Sequence, residues 1–174
     1  MTSRLTLALP ALLACALLTG CTTMDKKTAE VRDAAQVKAG TRQTSSRILD
    51  MTGLKGTVTK PGPLRLHCDD YEPEGRVVRM RHTWSVYDLP YEELEKGYAH
   101  LRTALTEDGW RIVSDGPNTS KAKTPTMVAD APGGDHSAEI RLMDNRKDED
   151  PTSVLAVTVV SRCFQETSGA SPAP

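Results

Sequence analysis

Residues 76–109 read RVVRMRHTWSVYDLPYEELEKGYAHLRTALTEDG, and this stretch decides the fold class. Its first part alternates. Val78, Met80, His82, Trp84 and Val86 fall on one face, and Arg79, Arg81, Thr83, Ser85 and Tyr87 on the other. Period two with one apolar face predicts a half-buried strand over 76–87. The second part changes period. Leu94, Tyr98, Leu101 and Leu105 recur every three to four residues, the stripe of an amphipathic helix. Asp88 is the expected cap, Pro90 suits the first turn, and Gly109 suits the position just past the end. Gly97 in mid-helix predicts a close approach of the helix to a sheet.

Working outward, Pro61-Gly62-Pro63 is a break, after which Leu64, Leu66 and Cys68 alternate with Arg65 and His67 as a short strand. Before it, Thr41 to Met51 reads as a short helix with Ile48, Leu49 and Met51 on its apolar edge, closed by Gly53 and Gly56. After the helix, Trp110 and Ile112 open a strand, and Asn118 to Lys123 is a turn. Thr124 to Ala129 is a strand that Pro125 assigns to a sheet edge. Ala138, Ile140 and Leu142 face a core. A charged loop over 144–151 leads to a last strand over Ser153–Cys163, with Leu155, Val157, Val159 and Cys163 on one side. The expected fold is α+β: an antiparallel sheet of about five to six strands with two helices packed on one face. In this register Cys68 and Cys163 both point to the helix side.

The start of the chain carries an address. Arg4 precedes an apolar run from Leu5 to Leu18, too short for a span that needs roughly 20 residues but suited to a signal peptide. Leu18-Thr19-Gly20-Cys21 has the form of a lipobox. Small residues let a peptidase grip an extended backbone, and the thiol accepts diacylglycerol as a thioether. The expected organisation is a lipoprotein signal peptide over 1–20, a lipidated Cys21 with a flexible tether over 21–40, one domain over 41–166, and a disordered tail over 167–174. The expected location is the outer face of the plasma membrane. Two acyl chains anchor stably where one does not.

Of four cysteines, Cys15 leaves with the leader and Cys21 is taken by lipid. Cys68 and Cys163 remain in an oxidising compartment, where a pair becomes a disulfide. A metal site or a redox pair is the rival reading. Against these, Cys163 has no neighbouring histidine and no C-x-x-C is present.

These features resemble small actinobacterial lipoproteins of uncharacterised role, most nearly the mycobacterial LppA type. The resemblance rests on the lipobox Leu18–Cys21, a polar tether, Cys68 early in the domain, a helix ending at Asp108-Gly109, and Cys163-Phe164 near the end. It spans about residues 45–165 and implies an exported, lipid-anchored domain with no catalytic residues to carry over.

The formal net charge of −1 and 4% aromatic content exclude a nucleic-acid binder. No zincin, nucleophile-elbow or phosphate-loop motif is present, and no cofactor or metal is expected. His82 on the apolar strand face reads as a boundary histidine. Asp69, Asp70, Glu72 and Glu74 form one acidic cluster, and Asp144, Asp148, Glu149 and Asp150 another. Both read as solvated loops, since Arg146 stands where a calcium loop needs an oxygen ligand. Arg65, Arg79, Arg81, Arg141 and Arg162 are expected on the sheet face away from the helices. They form either a cover for an open sheet or a platform for an anionic envelope polymer or protein. The expected function is a non-catalytic binding or interaction role at the cell envelope. The alternatives are an envelope hydrolase using an acidic pair, or a carrier of a small apolar ligand in a cavity of about 300 Å³ or more.

Overall fold

A computed structural model describes residues 28–59, 61–72 and 76–167. The leader, Cys21, Glu74 and the tail beyond 167 lie outside the described residues. The elements run β1 (Glu30–Arg32), α1 (Ala34–Thr52), β2 (Thr57–Val58), β3 (Leu64–His67), β4 (Val77–Tyr87), α2 (Tyr91–Glu107), β5 (Arg111–Pro117), β6 (Pro125–Asp130), a 3-10 turn (Pro132–Gly134), β7 (His136–Met143), β8 (Val154–Ser161) and β9 (Phe164–Glu166). The class is α+β with two helices. The sheet, however, has nine strands, mostly antiparallel, and one parallel pair, β1 with β9.

The sheet is built around β4. One side of β4 carries β2 and β3; the other carries β8 and β9 in succession, with β7, β6 and β5 beyond β8 and β1 beyond β9. Both helices cover one face. Trp84, Val86, Met127, Ala129, Ala138, Ile140, Leu142, Leu155, Val157 and Val159 meet Ile48 of α1 and Leu94, Tyr98, Leu101 and Leu105 of α2 in the main core. A smaller cluster joins Val37 of α1 to Val78, Met80 and Phe164.

The described domain begins at least eleven residues before the expected residue 41, a correction to the tether assignment. Helix α1 is capped by Asp33, whose side chain accepts from Gln36 N at 2.8 Å, and closed by Gly53 in the left-handed region at φ 66°. Its buried stripe is Val37, Thr41, Ser45, Ile48 and Thr52. Three of those five are small hydroxyl residues, so the segment reads as polar although it is one face of a core helix. Thr41 and Thr52 resolve the conflict by donating to Val37 O at 2.9 Å and Leu49 O at 2.7 Å.

Four further corrections follow. Helix α2 starts after Pro90 with no side-chain cap; Asp88 sits instead in the left-handed region at φ 59°. Gly97 makes room for Leu54 in the segment after α1, not for the sheet: a Cβ there would stand 2.7 Å from the Leu54 side chain. Strand β6 is internal, between β5 and β7. Pro125 is tolerated as its first residue, opposite Pro117, where no further ladder bond is needed. Finally, the last strand is interrupted. Arg81 faces Val160 but Val78 faces Phe164, so β8–β9 holds one residue more than β4 between these pairs. This bulge reverses the alternation. Phe164 takes the core side and Cys163 loses it.

Strand β3 is reversed as well. Leu64 and Leu66 lie opposite Arg81 and Arg79, and Cys68 N bonds Val77 O, which continues that register. Cys68 and Cys163 therefore share the face turned away from the helices. Because both were displaced together, they still meet: the Cys68–Cys163 disulfide is formed, with Cα atoms 6.3 Å apart.

Candidate functional site: a cavity between the first helix and the central strand

The expected arginine platform breaks up. Arg65 is opposite Met80, on the helix-side register, where it forms a two-pronged ion pair with Glu166 at 2.8 and 2.6 Å. The reason is the reversed register of β3. Arg162 lies in the bulge and donates to Gly133 O at 3.2 Å. Arg141 keeps to the open face beside Glu139, 3.3 Å away. Arg79 and Arg81 also stay there. Arg79 is half-buried across from Leu66, and Arg81 is exposed across from Leu64 and Val160. The structure thus keeps three of the five on one face and removes Arg65 and Arg162 from the set.

One member of the second acidic cluster, Asp144, is held in an ion pair of the fold itself. Asp144 accepts from Arg146 Nε and Nη2, both at 2.8 Å, and the same guanidinium reaches Glu92 at 2.8 Å and lies 4.2 Å from the Tyr91 ring centroid. This holds the β7–β8 loop to the start of α2. Hydrogen bonds from Arg146 hold the Asp144 carboxyl down to about 2. Further along α2, Tyr98 donates to Asp115 at 3.1 Å, and Arg102 pairs with the same carboxylate. Burial, and then the Asp115 charge, push the Tyr98 phenol up. Among the described residues, no group of three or more His, Cys, Asp or Glu is placed to hold a metal ion. No described helix is long and apolar enough to cross a membrane.

A cavity of about 450 Å³ opens between α1, the β2–β3 segment and β4. Its wall is formed by Ser45 and Leu49 from α1, Val58 and Pro61 from the connecting segment, and His82 and Trp84 from the inner face of β4. Arg42, Ser46, Thr59 and Gly62 complete it at the exposed rim. The cavity is a local gap under the helix cover, since Met80 and Val78 further along the same face of β4 are buried against Val37 of α1. At Trp84 the strand is buried to 3% exposure, whereas two residues earlier His82 is only half-buried, with the Pro61–Pro63 break passing over it.

The polar groups of this wall are unusual. Four buried side-chain nitrogen or oxygen atoms of the described residues have no hydrogen-bond partner in the protein: Ser45 Oγ, His82 Nδ1, Trp84 Nε1 and Arg79 Nε. The first three belong to side chains that line the cavity. The fourth is on the opposite face of β4. A buried polar group without a partner costs about 1–3 kcal/mol, and each of these atoms is packed within the wall with almost no accessible surface. His82 is oriented by its other nitrogen, Nε2, which lies 2.7 Å from Pro61 O. A carbonyl only accepts, so Nε2 carries the hydrogen and Nδ1 of the neutral ring is an acceptor.

Along the sequence His82 reads as a boundary residue, and nothing marks Ser45 or Trp84 as functional. A hydroxyl on a helix stripe and a tryptophan two residues from a histidine on one strand face are the signals, but they converge only when α1 is laid on β4. Fold and cavity together define an α+β domain with a ligand-sized cleft between helix and sheet. Comparison with protein-family models, with curated proteins and with solved structures finds no match to this chain.

Proposed function

We propose that this chain is an exported lipoprotein, anchored through Cys21 at the outer face of the plasma membrane, whose domain binds a small, largely apolar molecule in the cavity between α1 and β4. The leader and lipobox support the location at the envelope. The choice of the cavity over the arginine face rests on one observation: α1, the β2–β3 segment and β4 leave a cleft between them whose wall is mainly apolar. Its volume of about 450 Å³ lies within the range of small-molecule sites, and Leu49, Val58, Pro61 and Trp84 supply the apolar surface such sites need. The dispersal of Arg65 and Arg162 weakens the anionic platform in proportion.

A neutral fluorescent probe, N-phenylnaphthylamine, tests the cavity. It is expected to bind the Cys21→Ala chain at a single saturable site, and Leu49→Trp, which fills the cavity, is expected to abolish binding without altering the unfolding transition. Binding that survives Leu49→Trp, or no binding at all, refutes the site. The anchor is tested separately: Cys21→Ala is expected to lose lipid labelling and membrane fractionation.

A further inference from the structure

We infer that the open face of the sheet, through Arg79 and Arg81, lies against the anionic phospholipid surface in which Cys21 is anchored. This rests on the anchor reading above and is independent of the cavity.

Chain length is the first constraint. The folded domain begins with β1 at Glu30, and Thr28 stands only seven residues after Cys21. Seven residues reach at most about 25 Å even when fully extended. A domain of this size is about 35–40 Å across. The connection is therefore shorter than the domain, and the side on which the chain enters is the side that meets the bilayer. Thr28, Ala29 and Glu30 line one concavity with Tyr71, Arg162 and Cys163. Cys163 belongs to the disulfide on the face turned away from the helices. Arg162 and Cys163 form the bulge between the pairs Arg81–Val160 and Val78–Phe164, so they stand across from Arg79 and Met80, one strand spacing away.

Charge selects the same face. Arg79 and Arg81 lie on it, flanked by Leu66 and Leu64 of β3. Among the described residues neither guanidinium is held in an ion pair, and Arg79 Nε has no partner. Their neighbours on the face are paired, Arg141 with Glu139 and Arg111 with Asp130. The acidic residues Asp69, Asp70 and Glu72 come after Cys68, in the loop past the end of β3. The helix side has the opposite sign: Glu92, Glu93, Glu95 and Glu107 are exposed on α2 against Lys96 and Arg102, and an anionic surface repels it. Leu64, exposed across from Arg81, adds an apolar side chain suited to the boundary between headgroups and acyl chains. One arginine near an anionic bilayer strengthens association about fivefold, so two do not hold a free domain. On so short a connection they need not, because the face is kept at an effective concentration on the order of millimolar.

Labelling of arginines with phenylglyoxal, read by mass spectrometry, tests this on the lipid-modified protein in vesicles of phosphatidylcholine alone and of an equal mixture with phosphatidylglycerol. Arg81 is expected to be labelled about fivefold more slowly with phosphatidylglycerol, while Arg42 and Arg47 of α1 keep their rates. Arg141, on the same face, is expected to slow with it, and Arg79→Gln/Arg81→Gln to lose that slowing. The wild-type comparison decides the matter if the double variant does not fold. Equal rates at Arg81 in both kinds of vesicle, with the protein still floating with lipid, overturn the docking and leave the anchor standing. Slowing at Arg42 and Arg47 in place of Arg81 overturns it in favour of the helix side. Slowing at Arg81 that needs dissolved polyglutamate and is absent with phosphatidylglycerol overturns it in favour of an anionic polymer. A chain without lipid on Cys21 that stays in solution overturns the anchor reading and the docking with it.

Discussion

Removing the disulfide is the sharpest test of how this fold is held together. The bridge joins residues 95 apart, and the chain-entropy model assigns closure of such a loop about 4.7 kcal/mol. A domain of this size is stable by about 5–15 kcal/mol, so the bridge is a large share of the total. Its structural position sharpens the expectation. It ties the end of β3 to the bulge between β8 and β9. Strand β3 is a four-residue edge strand, its Leu64 is 58% exposed, and its other tie to β9 is the Arg65–Glu166 pair, whose arginine is half exposed to solvent. Solvent screening limits that pair to about 1 kcal/mol or less. The double variant Cys68→Ala/Cys163→Ala should therefore lose about 2–5 kcal/mol in urea unfolding, with a steeper slope as the unfolded chain expands. Amide exchange at Leu66 and His67 should accelerate more than at Val157 and Val159, which sit in the fully buried centre of the sheet. A loss under about 1 kcal/mol, or equal acceleration in β3 and β8, would refute the reasoning.

Three other outcomes are expected. Ile48→Ala should destabilise by about 2–5 kcal/mol by calorimetry, because Ile48 is fully buried and is the α1 member of the main core. Gly56→Ala should cost about 1–3 kcal/mol in urea unfolding, since a Cβ there would lie 2.4 Å from the backbone oxygen of Tyr87. Asp144 has a folded-state value of about 2, below its ordinary 3.8, so its contribution is complete above the ordinary value and is lost as pH falls through the lower one. Exposure keeps the effect small. A carbon NMR titration should show the depressed value directly, and Asp144→Asn should narrow the gap between urea midpoints measured near pH 5 and near pH 2.

The elements that could be read in advance are those whose pattern is strong within one segment. The strand over 76–87 and the helix that follows each repeat an apolar residue at one period for several turns or pleats, and each lies where expected within one to three residues. Helix α1 was legible only in its second half. Asp33 and Gly53 mark its two ends, but a stripe of Thr41, Ser45 and Thr52 carries no hydropathic signal, and propensity alone does not show that these hydroxyls are buried. The short strands β1, β2 and β9 have two or three residues each, too few for any period to register.

Residue order by itself determined the α+β class, the two helices, the apolar face of β4 and the pairing of the only two domain cysteines. Those follow from local period and from parity of thiols, which need no neighbour. Tertiary structure alone decided which face the thiols and Arg65 occupy, because one added residue in a strand reverses every side chain beyond it, and register is a property of two strands. It also decided the cavity. Ser45, His82 and Trp84 are unremarkable along the chain, and line one cavity only when α1 packs on β4.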